Sequence, residues 1–214
     1  RPDLTVTGAG TVSEGEVATF SINLSNPVDH AVTLDLRAKT NGNANTAEAD
    51  DIGEMRAYYL DGDAKVYLDF DGREISVPAG VQDIFVEVDT VDDNAAPVHE
   101  GSERFQLVVR DVDGVTTDSN GKAKAAAFID DSGNGAGDSP DDDRPEITTI
   151  SSPTVDEGGT AVFDVTLSNP SELVTPVTMT LANGTAESDD YTTNQITVNF
   201  ADGTRTVVDA VNGE

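Results

Sequence analysis

A block of 27 residues occurs twice in this chain. RPDLTVTGAGTVSEGEVATFSINLSNP (Arg1–Pro27) returns without a gap as RPEITTISSPTVDEGGTAVFDVTLSNP (Arg144–Pro170), a constant shift of 143 positions with 13 identities. Two starts of one pattern divide the 214 residues into two modules instead of one large core. Inside the block apolar side chains fall on every second residue: Phe20, Ile22 and Leu24, then Phe163, Val165 and Leu167 in the copy. The same alternation marks Val32, Leu34 and Leu36; Ile84, Val86 and Val88; and Phe105, Leu107 and Val109. Period-two runs broken by Asn-Pro, Asp-Gly and Pro-Ala-Gly spell half-buried antiparallel strands. No stretch carries the 3.6-residue stripe of an amphipathic helix; Lys122–Phe128 is rich in alanine but short. The pattern predicts an all-β chain of two β-sandwiches in tandem.

In the first module, 1–131, strands are expected at 4–8, 11–13, 17–25, 31–39, 55–60, 65–70, 74–77, 82–89, 103–110 and 122–129. DSGNGAGDSPDDD (131–143) has no apolar residue except Ala136, so 132–143 reads as an acidic Gly/Ser/Asp linker. The second module, 144–214, repeats TVDEG, AVFDVTLSNP, PVTMTL, NGTAESDDY and QITVNF in order. The first copy has 24 positions between Asp51 and Ile75 where the second has six between Asp190 and Ile196, an insertion of 18 residues at about 53–71. The insertion reads as a hairpin, MRAYYL–DGDA–KVYLDF, with three of the four tyrosines. Counterparts of Glu100–Arg110 and Lys122–Asp131 are missing from the second copy, which is therefore expected to be only the N-terminal part of a sandwich.

Charge narrows the function. The formal net charge is -29, with 41 acidic against 12 basic residues, which excludes a nucleic-acid binder that must neutralise phosphates. No apolar run approaches the ~20 residues of a membrane-spanning helix, so no direct membrane insertion is expected. Cysteine is absent, so any staple must be something other than a disulfide. The chain opens at Arg1 without a methionine or a signal sequence and reads as a piece of something longer.

The acids of the first module gather at Glu14, at Glu48, Asp50 and Asp51, at Asp89, Asp92, Asp93, Glu100 and Glu103, and at Asp130 and Asp131. Most fall at strand ends, and an antiparallel sandwich sends alternate loops to one pole, so these groups are expected to converge. Two like charges at ~4 Å cost about 1 kcal/mol in water and about 4 at an effective dielectric of 20. Five or six converging carboxylates then repel by roughly 10 kcal/mol, which rivals the net stability of a domain at about 5–15. Cations must neutralise them or the loops must splay. An all-oxygen set suits Ca²⁺, whereas Mg²⁺ prefers octahedral sites with water, and zinc is poorly served by a chain with no Cys and two His.

The segments VSEG, FSINLSNP, TAEADD, VPAG, IFVEVDTVDD, HEGSERFQLVV and FIDD together resemble the Calx-β domain, a calcium-binding immunoglobulin-like sandwich. The resemblance covers nearly all of the first module and the first half of the second. It implies calcium ligands at Glu14, Asp51, Asp92, Asp93, Glu100, Glu103, Asp130 and Asp131, and at Glu157 and Asp190 in the second module. Ile52 stands where the family pattern has Tyr, and the loop from Asp93 to Glu100 is longer than the pattern. On the same resemblance the chain is expected to be a calcium-rigidified module pair of a large bacterial surface adhesin of the repeats-in-toxin type. It would be secreted and have a structural role in cell adhesion, with neighbouring modules as partners. Calcium among the loops, and at the linker acids Asp138 and Asp141–Asp143, would fix strand ends and the angle between modules.

Other chemistry is thin. Asp69–Asp71–Gly72 and Asp111–Asp113–Gly114 resemble fragments of EF-hand loops without the distal Glu and read as solvated turns, as do Asp61 and Asp63. His30 and His99 sit beside turn residues and read as surface. No nucleophile elbow, zinc-protease or phosphate-loop motif occurs, and no enzyme is expected. The alternative is a ligand-binding region of an adhesin, with Tyr58, Tyr59 and Tyr67 of the hairpin contacting a peptide or glycan and the second module as the first half of a split domain. Against that stands cross-strand pairing of the same rings.

Overall fold

The computed structural model describes residues 1–41, 45–117, 121–138, 140–182, 184–187, 189–192 and 195–209. All regular structure among them is strand. The chain forms two units, one of Arg1–Glu146 with Leu167–Leu173, the other of Ile147–Thr166 with Val174–Glu214.

The first unit is a β-sandwich. One five-stranded sheet has the order β1 (Leu4–Thr7), β3 (Val17–Leu24), β8 (Asp83–Thr90), β5 (Ile52–Asp61), β6 (Ala64–Tyr67). The other runs β2 (Gly10–Ser13), β10 (Lys122–Asp130), β9 (Ser102–Asp111), β4 (Val32–Lys39), β7 (Glu74–Val77). Every pairing is antiparallel except β2 on β10, where Ser13 lies level with Asp130. Strands form where β-branched and aromatic residues alternate with polar ones, since only that period places one apolar set on one face. Thus Phe20, Ile22 and Leu24 of β3 and Leu34 and Leu36 of β4 are at most 1% exposed. Phe20 and Phe105 meet edge to face across the two sheets, ring centroids 5.6 Å apart. Each such side chain stabilises the fold by about 1.5–3 kcal/mol through burial alone.

Period two also decides the fate of the acids at the ends of β9. Glu103, Phe105, Leu107, Val109 and Asp111 occupy successive inward positions, so a carboxylate is buried at each end of the core face. At one end Asp111 closes a turn by accepting the N–H groups of Asp113, Gly114 and Thr116 at 3.0, 3.0 and 2.7 Å. It is 6% exposed, not solvated as its sequence suggested. Asp71 makes a similar turn at the surface, capping Arg73 and Glu74. Glu103 ends at the opposite pole.

The hairpin expected at 53–71 is present as β5 and β6, which extend the first sheet at its edge. The segment 132–143 does not behave as a free linker. It folds back along β2, Ser13 and Ala136 joining through N–H···O bonds of 2.9 Å, from Ser13 to Ala136, and 3.1 Å, from Ala136 to Thr11.

In the second unit β11 (Ile147–Ile150) pairs with β12 (Val165–Leu167), and β13 (Gln195–Asn199) pairs with β14 (Arg205–Asp209). The equivalents of β13 and β14 in the first unit, β7 and β8, lie in different sheets. There β7 is carried by β4, whereas residues 176–181, which match β4 in sequence, form no strand. Without that neighbour β13 closes on β14, and the described residues of this unit form two two-stranded sheets.

Candidate metal centre

The strand directions bring one set of acids together. β2, β8 and β10 end, and β5 and β9 begin, at the same pole of the first sandwich. Glu14 follows β2, and Gly15 turns the chain there with φ +75°, a conformation L side chains rarely adopt. A Cβ on Gly15 would also sit 2.9 Å from the Cβ of Asp92, so the Glu-Gly pair is fitted to its neighbour. Asp51 precedes β5, Asp92 and Asp93 follow β8, Glu100 and Glu103 flank the start of β9, and Asp130 and Asp131 close β10.

These acids do two different jobs. Some hold backbone. Asp131 accepts the N–H groups of Glu100 and Gly101 at 2.6 and 2.8 Å, and Asp130 those of Ser132 and Asn134 at 3.0 and 3.3 Å. Asp51 takes the N–H of Glu48 at 2.5 Å, Asp92 that of Asn94 at 2.8 Å, and Asp93 that of Val98 at 2.9 Å. Others face one another. Glu14, Asp141 and Asp143 place one oxygen each within 4.8 Å of the others, and so do Glu48, Asp51 and Glu103. Oxygens on opposite sides of an ion bonded at 2.3–2.6 Å lie about 4.6–5.2 Å apart, so both groups are spaced to hold a metal ion. Between them Glu14, Asp51, Glu100, Glu103 and Asp131, with Gly101 and Ile129, line a cavity of ≈ 10 Å³. That is roughly one water-sized sphere.

Little basic charge answers these acids: at the pole only His99 comes near, its Nε2 3.7 Å from Asp131 Oδ1, among the described residues. The Lys and Arg ion pairs of the described residues join Arg37 and Arg73 to Asp35, Arg56 to Glu54, Glu87 and Asp89, Lys65 to Glu87, and Arg144 to Asp142. None of the six clustered carboxylates takes part in one. The titration behaviour follows. Hydrogen bonds from Arg37 hold Asp35 down to about 2. Burial first, and then Asp93 and Asp131, push Glu14 up to about 8; burial and then Glu100 and Asp51 do the same to Glu103. Glu100 rises to about 7 from burial and Asp51, and Asp143 to about 7 from burial and Asp141. Glu48 and Asp141 are raised as well, burial again leading. Buried oxygens of Asp93 (Oδ1), Asp141 (Oδ2) and Asp143 (Oδ2) have no hydrogen-bond partner. Ionised, such buried oxygens are costly unless a positive charge pairs with them.

Of the residues marked from sequence, Glu14, Asp51, Asp93, Glu100, Glu103 and Asp131 meet at the pole. Asp92 is exposed beside them, and Asp130 spends its carboxylate on the backbone. Asp141 and Asp143, expected to meet calcium as linker acids, join Glu14 at the pole instead, and Glu48, which was not expected to be a ligand, joins Asp51 and Glu103. Glu157 and Asp190 lie exposed in the second unit and belong to no acidic group found among the described residues. Asp190 does accept the N–H of Glu187 at 2.8 Å, the same short turn that Asp51 makes with Glu48.

The histidines divide. His30 is exposed against Asp29, but His99 is not on the surface. Its side chain is 12% exposed, with Nδ1 3.1 Å from the Ser171 hydroxyl and Nε2 3.2 Å from that of Ser132. Residues 167–173 cover it, and the N–H of Glu172 donates to its carbonyl at 2.9 Å.

The tyrosines of the hairpin are engaged with one another. Tyr58 is 7% exposed, its ring stacked on Phe85 at 5.2 Å and tilted against Tyr67 at 5.6 Å, with Lys65 Nζ 4.4 Å from its centre. Tyr67 is 54% exposed and donates its hydroxyl to Glu87 at 3.3 Å. Tyr59 faces the other side of the strand, level with Val66, and is half-buried. No family model matches the chain, and a search of curated proteins finds no match.

Proposed function

We propose that the chain is a calcium-binding, calcium-rigidified pair of extracellular modules with a structural role in a bacterial surface adhesin. One observation carries the calcium part: two groups of three carboxylates converge at one pole, and none of the six is paired with a Lys, Arg or His among the described residues. The donors are all oxygen, which selects a hard cation. Mg²⁺ keeps several waters, and a cavity of ≈ 10 Å³ leaves little room for them; Ca²⁺ exchanges its shell for carboxylates in irregular geometry. Glu14, Asp93, Asp141 and Asp143 would hold one ion, and Glu48, Asp51, Glu100 and Glu103 another. The ion supplies the positive charge that lets five separate chain segments meet. Its action is mechanical, and no catalytic step is assigned.

The adhesin part rests on the resemblance of VSEG, TAEADD, HEGSERF and FIDD to Calx-β modules. It also rests on a cysteine-free chain that needs a staple other than a disulfide. Outside a cell, affinities of about 0.1–1 mM suffice for loading. Calorimetric titration of the chelator-treated chain with CaCl₂ and MgCl₂, paired with thermal melts, tests the reading. Calcium at about 100 times its Kd adds about 2.7 kcal/mol per ion, which raises Tm by roughly 5–10 °C in a unit of this size. Equal Tm values in calcium and in EDTA, with no heat of binding, would end it.

A further inference from the structure

Residues 131–144, of which 139 lies outside the described residues, have the composition of a flexible tether, and the described ones have the geometry of a fitted part. Gly133 N–H donates to Asp141 C=O and Asp143 N–H to Asp131 C=O, both at 2.7 Å, so the segment doubles back on itself. Its outer arm runs along β2 through the paired bonds of Ala136 with Thr11 and Ser13. Asp138 N–H donates to Glu16 Oε1 at 2.9 Å, and Asp141 N–H to Ser13 Oγ at 2.6 Å. A Cβ on Gly135 would lie 2.3 Å from the backbone nitrogen of Ser13, so only glycine permits this approach. The returning arm delivers Asp141 and Asp143 to Glu14.

Glu14 is 8% exposed and has a carboxylate oxygen within 4.8 Å of one oxygen each of Asp141 and Asp143. Asp93 Oδ1, Asp141 Oδ2 and Asp143 Oδ2 are buried beside it and unpartnered. Four carboxylates from three separate segments thus converge where the docked arm closes over the pole. Hydrogen bonds to β2 hold the arm on one side, and repulsion opposes it on the other.

We infer that docking of residues 131–144 and occupation of the Glu14 site by a divalent cation are a single event, with Asp141 and Asp143 as ligands that the segment itself delivers. This rests on the calcium reading above and adds a regulation to it. The segment is a strap that calcium closes, and the Glu48–Asp51–Glu103 group needs no strap to form.

Hydrogen exchange of the full chain, followed by mass spectrometry in millimolar CaCl₂ and in EDTA, reads the strap directly. Amides of Gly133, Ala136, Asp141 and Asp143 are expected to exchange at least ~10-fold more slowly in calcium. Gly135→Val removes that protection and weakens one of two calorimetric calcium sites by about 10-fold or more, leaving the other unchanged. Because valine at 135 strains β2 as well, a second variant changes charge alone: Asp141→Asn with Asp143→Asn keeps the strap slow-exchanging in EDTA and makes it indifferent to calcium. If the chain binds calcium while strap exchange is the same with and without it, the inference is overturned and the calcium reading survives. Absence of any calcium binding overturns both.

Discussion

The backbone N–H of Asp141 donates to the hydroxyl of Ser13 at 2.6 Å, across 128 residues of chain. The same hydroxyl reaches the carbonyl of Asp130 at 3.5 Å, so one buried side chain ties β2, β10 and the returning segment. Ser13→Ala leaves the Asp141 amide without this acceptor, at a cost of about 1–3 kcal/mol. Thermal melts should show the loss, and calorimetry should show weaker calcium binding at one site. An alanine variant with unchanged Tm and affinity would mean that the contact contributes nothing.

Protonation and metal compete for the same oxygens. Glu14 and Glu103 titrate at about 8 in the fold against 4.5 as the ordinary value, burial being the main cause. Between those values the folded chain keeps protons that the unfolded chain has released. Stability without metal is therefore greatest below about pH 4.5 as far as these groups are concerned, and falls as pH rises toward about 8. Melts in EDTA from about pH 5 to 8 should decline in Tm, and the increment added by saturating calcium should grow over the same range. A flat profile in EDTA would mean that these carboxyls are ionised throughout.

Glu103→Gln separates repulsion from ligation. The amide keeps the shape of the side chain and removes one charge from a face shared with Glu48, Asp51 and Glu100. In EDTA at about pH 9, where Glu103 is ionised, the variant should be more stable than the parent by about 1–2 kcal/mol, since like charges at this spacing cost that order. In calcium the order should invert, because a ligand has been lost. The crossing is read from two melting curves, and a variant less stable in both buffers would point to packing alone.

The rings of the hairpin predict a gradient. Tyr58→Ala opens a cavity between Phe85 and Tyr67 and should cost about 3–5 kcal/mol. Tyr67→Ala removes an exposed ring and one long hydrogen bond, and should cost about 1 kcal/mol. Chemical denaturation measures both. Equal costs would contradict the cross-strand role, and loss of a glycan or peptide on an array with Tyr67→Ala alone would restore the ligand-binding alternative.

Much of the first unit is legible in the sequence because burial leaves a mark on every second residue. Four of its ten strands, β3, β4, β8 and β9, hold the alternating runs Phe20–Leu24, Val32–Leu36, Ile84–Val88 and Phe105–Val109, and β6 stops at Tyr67 where 65–70 was expected, since Phe70 only bridges to Ile75. Glu14, Asp51, Glu100, Glu103 and Asp131 are legible for a related reason: strand ends at one pole are neighbours whatever their separation in the chain. Asp141 and Asp143 are legible as linker acids but not as neighbours of Glu14, because glycine has two uses that composition cannot separate. Gly135 looks like freedom and serves as clearance against Ser13. His99 was misplaced on the same ground, since what buries it is residues 167–173, distant in sequence and apolar only at Leu167 and Leu173. The second unit shows the limit from the other side, for a repeated pattern at 176–181 forms no strand where its neighbours differ.

The parallel seating of β2 on β10 has a kinetic side. It requires residue 13 to meet residue 130, and the pocket beyond it draws on residues from 14 to 143. Loops of that length close late, after local hairpins such as β5–β6 have formed. An ion can then grip only what is already nearly native. Calcium should leave the speed of folding almost untouched and act by slowing escape from the folded state.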